Sequence, residues 1–347
     1  MEQVEHRNLE PTQQKSAPTA TRVPDESEVS ISTLGPTETL PLIIQAKSPD
    51  LDLGRWAREN LDFILEKLYV HGAFLFRGFG LRTVQEFEAV ASTICPTLFG
   101  EYNDLPHEAG KIYGTTPYPP DKAILFHNES SHMHRWPMKQ FFFCIQPSAE
   151  GGRTPIYDAR QVLKMLKPET REAFATKGLK YVRNFSEGVD ISWQTFFHTT
   201  DKAKVEEFCK AAGMEFKWKK WGDLRVSQNC KAVVKHPYTH EELFFNQVQL
   251  HHVSCLEPAL RTSLLKLFKE EDLPRNVYYG DGSRIPDEVM KEVDDVFWAA
   301  AKSFDWQPYD VVMVDNMLVS HARLPYKGPR KIVVAMGEIM HAKDLPA

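Results

Sequence analysis

The hydrophobic pattern predicts helices at the start of the folded chain. Apolar residues recur at helical spacing until His71-Gly72, where the glycine ends the run (Trp56, Leu61, Ile64, Leu65 and Leu68). The mostly apolar run 73–78 then predicts a buried strand. Thr83 and Glu86 have the spacing of a capping box, which predicts the start of a second helix.

After residue 120, short apolar runs alternate with clusters of Gly, Pro, Asn and Asp, a pattern that predicts many short strands. The runs are 123–126, 141–145, 154–157, 232–236, 243–245, 311–314 and 332–336. Two helices are predicted near 257–269 and 287–303. Together these elements predict an α+β, mainly β fold: a double-stranded β-helix, or jelly roll, decorated by flanking helices.

The first 40 residues differ from the rest, because they are rich in Ser, Thr, Pro and Glu and contain no aromatic residue. Such a segment buries too little apolar area to offset chain entropy, so residues 1–40 are predicted to be a disordered tail. Strands that return from far along the chain predict one jelly-roll domain with helical insertions over residues 41–347.

Composition and charge exclude several classes of protein. The 347 residues carry 42 Lys+Arg and 47 Asp+Glu, a net charge of -5, and no basic run that could neutralise nucleic-acid phosphates. No stretch approaches the ~18 apolar residues of a membrane span. The first ten residues are polar, so no signal peptide is expected. Five cysteines without a CxxC pair are typical of a reduced, cytoplasmic protein.

The first candidate for chemistry is His127-Asn128-Glu129, directly after the predicted strand 123–126. Side chains two residues apart on an extended chain point to the same face, as a shared metal requires. A His-x-acid pattern is weak alone, and a second one, His240-Glu241-Glu242, lies in a predicted hairpin turn, where exposed turn residues are the simpler interpretation. The preceding strand distinguishes the first pattern from the second.

His321 is the candidate for a third ligand, because it follows the predicted strand 311–314 and the residues Asp315-Asn316. Two imidazoles and one carboxylate on one octahedral face are typical of non-heme Fe(II) oxygenases. Zinc hydrolases also use two His and one Glu, so a zinc-dependent hydrolase with His127, Glu129 and His321 is an alternative. The helical HExxH motif of zinc proteases is absent from the sequence.

Several motifs give the chain a family resemblance. The motifs lie in order between about 70 and 340: 126–129, 150–154, 244–247, Asp315-Asn316 with His321, and 328–338. By their order and spacing the chain resembles the Fe(II)/2-oxoglutarate-dependent dioxygenases of the taurine dioxygenase (TauD/TfdA) and clavaminate synthase type, and within them the syringomycin-type amino-acid hydroxylases.

This resemblance implies roles for individual residues. It implies that His127, Glu129 and His321 bind Fe(II), and that Thr154 donates a hydrogen bond to the distal carboxylate of the co-substrate 2-oxoglutarate. Arg330 is the expected cation for that carboxylate, since a guanidinium binds carboxylates in bidentate fashion; Arg323 is the rival. O₂ is the oxidant. A carboxylate at position 129 argues against halogenation, because halogenating relatives carry a small residue there.

The resemblance also implies a substrate class. It implies hydroxylation of an unactivated C–H bond of an amino acid, free or bound to a peptidyl carrier protein, in secondary metabolism. Ser131, Arg135 and Asn246 are candidate substrate contacts. His132 and His134 are expected to line the pocket, with metal binding as the alternative. A third hypothesis is a non-catalytic jelly-roll module that binds a partner and merely retains the motif.

Overall fold

A computed structural model describes residues 23–99, 106–186 and 190–346. The strands are β1 (Val29–Ser32), β2 (Leu42–Ala46), β3 (Ala73–Arg77), β4 (His107–Ala109), β5 (Ile112–Gly114), β6 (Ile124–His127), β7 (Arg135–Gln146), β8 (Glu150–Gly151), β9 (Ile156–Asp158), β10 (Leu179–Phe185), β11 (Glu215–Trp218), β12 (Leu224–Cys230), β13 (Val233–Lys235), β14 (Glu242–Phe244), β15 (Arg275–Tyr279), β16 (Val311–Asp315), β17 (Val319–Arg323), β18 (Tyr326–Lys327) and β19 (Lys331–His341).

The helices flank these strands. They are α1 (Leu53–Glu59), α2 (Leu61–His71), α3 (Val84–Ile94), α4 (Ala159–Met165), α5 (Pro168–Lys177), α6 (Trp193–Phe197), α7 (Lys202–Ala211), α8 (Val248–His251), α9 (Pro258–Leu267) and α10 (Asp287–Ala300). No helix among the described residues is long and apolar enough to cross a bilayer.

An eight-stranded sheet forms one layer of the jelly roll, in the order β1-β2-β3-β16-β7-β19-β5-β4. Alternate residues of β7 enter different cores, since successive side chains of a strand point to opposite faces. Phe141 and Phe143 pack with α1–α3, whereas Phe142 and Cys144 pack with the three-stranded sheet β6-β17-β9. The predicted mainly β jelly roll with flanking helices is therefore confirmed.

A second, smaller sheet packs against the core of the jelly roll through residues of β10 and β15 such as Tyr181 and Val277. Its order is β11-β12-β10-β15, and with α6 and α7 it encloses a separate apolar core. Residues of that core include Phe185, Trp193, Cys209 and Val226. We call the part of this unit that spans residues 190–230 the insertion. The sequence patterns did not predict its sheet.

The predicted elements of the first hundred residues are mostly confirmed. Thr83 forms the capping box with Glu86, and Gly72 ends α2 at φ 71°. The single predicted helix is interrupted at Asn60, whose Nδ2 donates to the Trp56 carbonyl oxygen at 2.9 Å. A side-chain amide that binds the backbone competes with helix continuation.

The predicted tail needs correction over its last part. Residues 1–22 lie outside the described residues. Val29–Ser32, however, forms an edge strand that pairs antiparallel with β2, and Val29 is buried. The ordered fold thus begins before residue 40, because a four-residue strand obtains its hydrogen bonds from β2 and needs only one buried side chain of its own.

Candidate active site

Two neighbouring strands hold the three candidate metal ligands. His127 is the last residue of β6 and pairs in register with His321 of β17, so their ring centroids lie 4.3 Å apart. Glu129 follows His127 by two residues. The ligand atoms of His127, Glu129 and His321 all lie within 4.8 Å of one another, and this is the one such group of three among the described residues.

The protonation of these groups suits a cation. His127 Nδ1 lies 2.8 Å from the carbonyl oxygen of Leu125, which can only accept, so Nδ1 is the donor and Nε2 is the nitrogen that remains for a metal. That Nε2 lies 3.9 Å from Glu129 Oε2. Burial, with the neighbouring His127, holds the pKa of His321 well below its usual range, so His321 is a neutral imidazole. Its buried Nδ1 has no hydrogen-bond partner among the described atoms.

Asn316 fixes the turn that carries Glu129. Its Oδ1 accepts from the Glu129 backbone N–H at 2.7 Å, and its Nδ2 donates to the Glu129 carbonyl oxygen at 3.0 Å and to that of Pro137 at 2.8 Å. Ser130, the next residue, adopts a left-handed backbone conformation with φ 57°. The loop after β16 therefore positions Glu129 beside His321, although 187 residues separate Asn316 from Glu129.

A pocket beside these three residues contains the side chains predicted to anchor an oxoacid. Thr154, Arg323 and Arg330 line it together with His127, Glu129 and His321. Thr154 Oγ1 accepts from the indole N–H of Trp306 at 3.1 Å. Because that bond uses the oxygen as an acceptor, the Thr154 hydroxyl hydrogen remains available to donate.

The two arginines of this pocket have different surroundings. Arg323 donates to three backbone carbonyls, those of Tyr118 at 3.2 Å, Pro119 at 2.7 Å and Lys122 at 2.6 Å. Arg330 has no hydrogen bond or ion pair to another described residue, and its Nε is buried without a partner. Burial, with the charge of Arg323, lowers the pKa of Arg330 to about 10, so it stays cationic at neutral pH.

The candidate substrate contacts do not converge on one surface. Ser131 Oγ donates to the Asn128 carbonyl oxygen at 2.8 Å, and Asn246 Oδ1 accepts from the Val248 N–H at 3.0 Å, so both take part in the internal structure of the loops. Arg135 instead lines a large cavity, and Ser130 is another of the residues that line it.

The neighbouring histidines also occupy different positions. His134 lines two cavities, but it is not part of the pocket that contains the three candidate metal ligands. His132 packs against His251 with ring centroids 5.1 Å apart, and burial holds its pKa well below the usual range.

Sequence reasoning missed the far wall of the large cavity. Phe197, Lys204 and Phe208 of the insertion line it. Their segment carries no motif, and only the tertiary contact between the insertion and the jelly roll gives these residues a shared position.

Comparison with known proteins agrees with this arrangement. The model of the taurine catabolism dioxygenase TauD, TfdA family matches residues 32–336. The dapdiamide synthesis protein DdaC of Enterobacter agglomerans is 35% identical over 298 residues, which cover 85% of this chain and 90% of DdaC. A clavaminate synthase-like protein of Arabidopsis thaliana is 27% identical over 289 residues, covering 78% and 82% of the two chains.

Solved structures share the fold. PvcB of Pseudomonas aeruginosa, described as an Fe, alpha-ketoglutarate dependent oxygenase from an isonitrile synthetic pathway, superposes with a TM-score of 0.55 at 13% identity, covering 95% of this chain and all of PvcB (100%). AAD-2, solved with Mn(II) and N-oxalylglycine, gives a TM-score of 0.51 at 16% identity and covers 90% of this chain and 99% of AAD-2.

Proposed function

The chain belongs to the taurine catabolism dioxygenase TauD, TfdA family, and from this premise we propose that it hydroxylates an unactivated C–H bond of an amino acid, either free or bound to a carrier protein. It is a 2-oxoglutarate-dependent dioxygenase that uses Fe(II) and O₂. The name of DdaC links that relative to the synthesis of dapdiamide, and we extend a biosynthetic role of this kind to the present chain.

We assign Fe(II) to His127, Glu129 and His321. The observation that carries this assignment is the approach of their ligand atoms to within 4.8 Å, from strands that the chain visits nearly 200 residues apart. Ligand atoms bound to one ion at roughly 2.1 Å stand about 3 Å apart on an octahedral face, so only small side-chain movements are needed. The unpartnered nitrogen of His321 and the His127 nitrogen that does not bond to the backbone fit a cation.

We assign the distal carboxylate of 2-oxoglutarate to Arg330 and Thr154. Arg330 is the preferred cation because its guanidinium has no other acceptor among the described residues, whereas Arg323 is occupied by three backbone carbonyls. A buried guanidinium without an anion is costly, and a bidentate carboxylate satisfies it. Arg323 also lines the pocket, and both guanidinium groups lie over the ring of Tyr326, at 5.2 Å for Arg323 and 5.4 Å for Arg330.

When bound, iron with 2-oxoglutarate supplies the oxidative decarboxylation that yields succinate, CO₂ and a hydroxylated product. The residues of this chain contribute position and exclusion of water. Asn316 holds Glu129 in place, Arg330 and Thr154 orient the oxoacid, and Phe142, whose ring lies 5.1 Å from that of His321, covers one side of the centre. Family membership favours this chemistry over a zinc hydrolase and over a non-catalytic module. A cytoplasmic location stays a prediction.

The test is an anaerobic titration of the full-length protein with Fe(II) and 2-oxoglutarate. A visible charge-transfer band is expected, and His127→Ala and Glu129→Ala should abolish it while His240→Ala, in the second His-x-acid pattern, leaves it unchanged. Mass spectrometry of amino acids and carrier-bound aminoacyl groups should then detect the gain of one oxygen atom. A folded protein that shows no band, and turns over a substrate under nitrogen without 2-oxoglutarate, would instead be a hydrolase.

A further inference from the structure

The insertion and the jelly roll enclose a cavity of about 1020 Å³. Leu98, Ser130 and Arg135 line it on the jelly-roll side, and Phe197, Lys204 and Phe208 line it on the side of the insertion. Ser130 of the cavity wall directly follows Glu129 in the chain, and the cavity and the pocket of the metal ligands have no lining residue in common. A second cavity of about 570 Å³ shares Met133, His134 and Trp136 with the first.

The wall of the large cavity is apolar in its middle part. Phe197 packs against Phe196 with ring centroids 4.9 Å apart and against Phe208 at 5.4 Å. Phe208 takes part in this aromatic cluster and is still 37% exposed. An aromatic surface of this kind binds hydrocarbon or the apolar part of an amphiphilic ligand.

Two cations without acceptors border this apolar wall. Arg135 and Lys204 are exposed, and neither makes a hydrogen bond or an ion pair with a described residue. Glu338 is the carboxylate of the cavity wall, but it already binds Lys139 and accepts from Tyr238 Oη at 3.0 Å. The net charge presented to a ligand is therefore positive, in a protein whose overall charge is -5.

We propose that the large cavity binds the organic substrate as an extended amino-acid derivative, with an acyl or peptidyl chain along the aromatic wall and a terminal anion bound by Arg135 and Lys204. This inference rests on the proposed function. The volume of the cavity supports an extended ligand, because cavities of roughly 300–1,000 Å³ hold drug-sized ligands and a free amino acid fills only a small part of this one. The anion is a carboxylate of a free substrate or the phosphate of a carrier's pantetheine arm.

Matched ligand pairs test the anion. N-hexanoylglycine is compared with N-hexanoylglycinamide, and phosphopantetheine with pantetheine, by calorimetry on the full-length protein under nitrogen, both metal-free and with Mn(II). At least one anion should bind about 5- to 10-fold more tightly than its neutral partner. This ratio is smaller than that expected for a buried ion pair, because both cations are exposed to solvent. Preference within the first pair identifies a free carboxylate, and preference within the second identifies a carrier arm.

Variants connect the preference to the two cations. Arg135→Ala with Lys204→Ala should bring the ratio below about 2-fold, and Arg135→Lys should retain most of it. Arg171→Ala, an exposed arginine of α5 away from the cavity, is the matched control. No preference in either pair, or a preference that survives the double substitution, overturns the proposal. Neither result affects the charge-transfer titration, so failure of this inference and failure of the oxygenase chemistry remain distinguishable.

Discussion

Replacement of Asn316 should weaken metal binding, although Asn316 is not itself a ligand. The side chain is fully buried and spans the loop after β16, the turn of Glu129 and the start of β7. Asn316→Ala removes three hydrogen bonds at once, two of them to the backbone of Glu129. Without these bonds the backbone of Glu129 is no longer held in place, so its carboxylate is less firmly positioned beside His321.

The magnitude follows from these contacts. Each lost hydrogen bond contributes about 1 kcal/mol, and each buried backbone group left without a partner adds to the cost, so the free energy of unfolding should fall by about 3–5 kcal/mol. Residues that orient metal ligands typically change metal affinity by about 10- to 100-fold when mutated. We expect a loss of metal affinity in that range for Asn316→Ala. Asn316→Asp should give at least as large a loss, because its carboxylate would face the carbonyl oxygens of Glu129 and Pro137 in a fully buried site.

Asn184→Ala is the matched control. Asn184 is also buried and makes three hydrogen bonds, to the carbonyls of Glu271 and Leu273 and to Lys219 Nζ, but it lies in the smaller sheet. The assays are urea unfolding and anaerobic Mn(II) titration of the full-length protein. Both substitutions should reduce stability, and only the one at 316 should reduce metal affinity. Equal loss of affinity in the two variants, or wild-type affinity in Asn316→Ala, would refute the positioning role.

Two further predictions concern the oxoacid pocket and the response to acid. Arg330→Ala should weaken 2-oxoglutarate binding about 100-fold, because it removes a bidentate ion pair, whereas Arg323→Ala should mainly lower Tm; calorimetry with Mn(II) and thermal unfolding separate them. Burial lowers the pKa of His252 from 6.5 to about 4, so at pH 5 the unfolded state binds an extra proton at this residue. His252 alone should then reduce the free energy of unfolding by about 2 kcal/mol, in addition to the losses from the other buried histidines. Urea unfolding at pH 7 and pH 5 should show a smaller decrease for His252→Gln than for the wild-type protein, and an equal decrease would contradict this assignment.

The sequence identified candidate metal ligands where the spacing of residues along a strand and the metal-binding chemistry of their side chains agreed. His127 and Glu129 could be identified because a two-residue spacing after a strand places both side chains on one face. His321 could be associated with them through the resemblance and through its position after a buried strand, and the structure brings it within reach. The strand bounds were less accurate: β7 begins at Arg135, well before the predicted run 141–145, because charged and polar residues there are buried by tertiary contacts.

The insertion could not be predicted, for a different reason. Its strand β12 pairs with β10, which lies outside the insertion, and its apolar residues follow no single period. The exposure of Phe208 and the unpaired state of Lys204 are properties of the assembled cavity and not of their neighbours in sequence. Local patterns cannot report such properties, since they depend on which surfaces face each other after folding.

The candidate metal ligands and the far wall of the large cavity lie on different parts of the fold, and this separation has a functional consequence. The candidate ligands lie on paired strands of the jelly roll and are fixed by buried hydrogen bonds, so their geometry changes little when surface residues change. The cavity that we assign to the substrate has one wall on a separate small core, where substitutions need not disturb the metal centre. Substrate preference can therefore change through residues 190–230 while iron binding is retained. Exchanging Phe197 or Phe208 for smaller apolar residues should alter which acyl chains bind and leave the Mn(II) affinity unchanged; a parallel loss of both would show that the two walls are mechanically coupled.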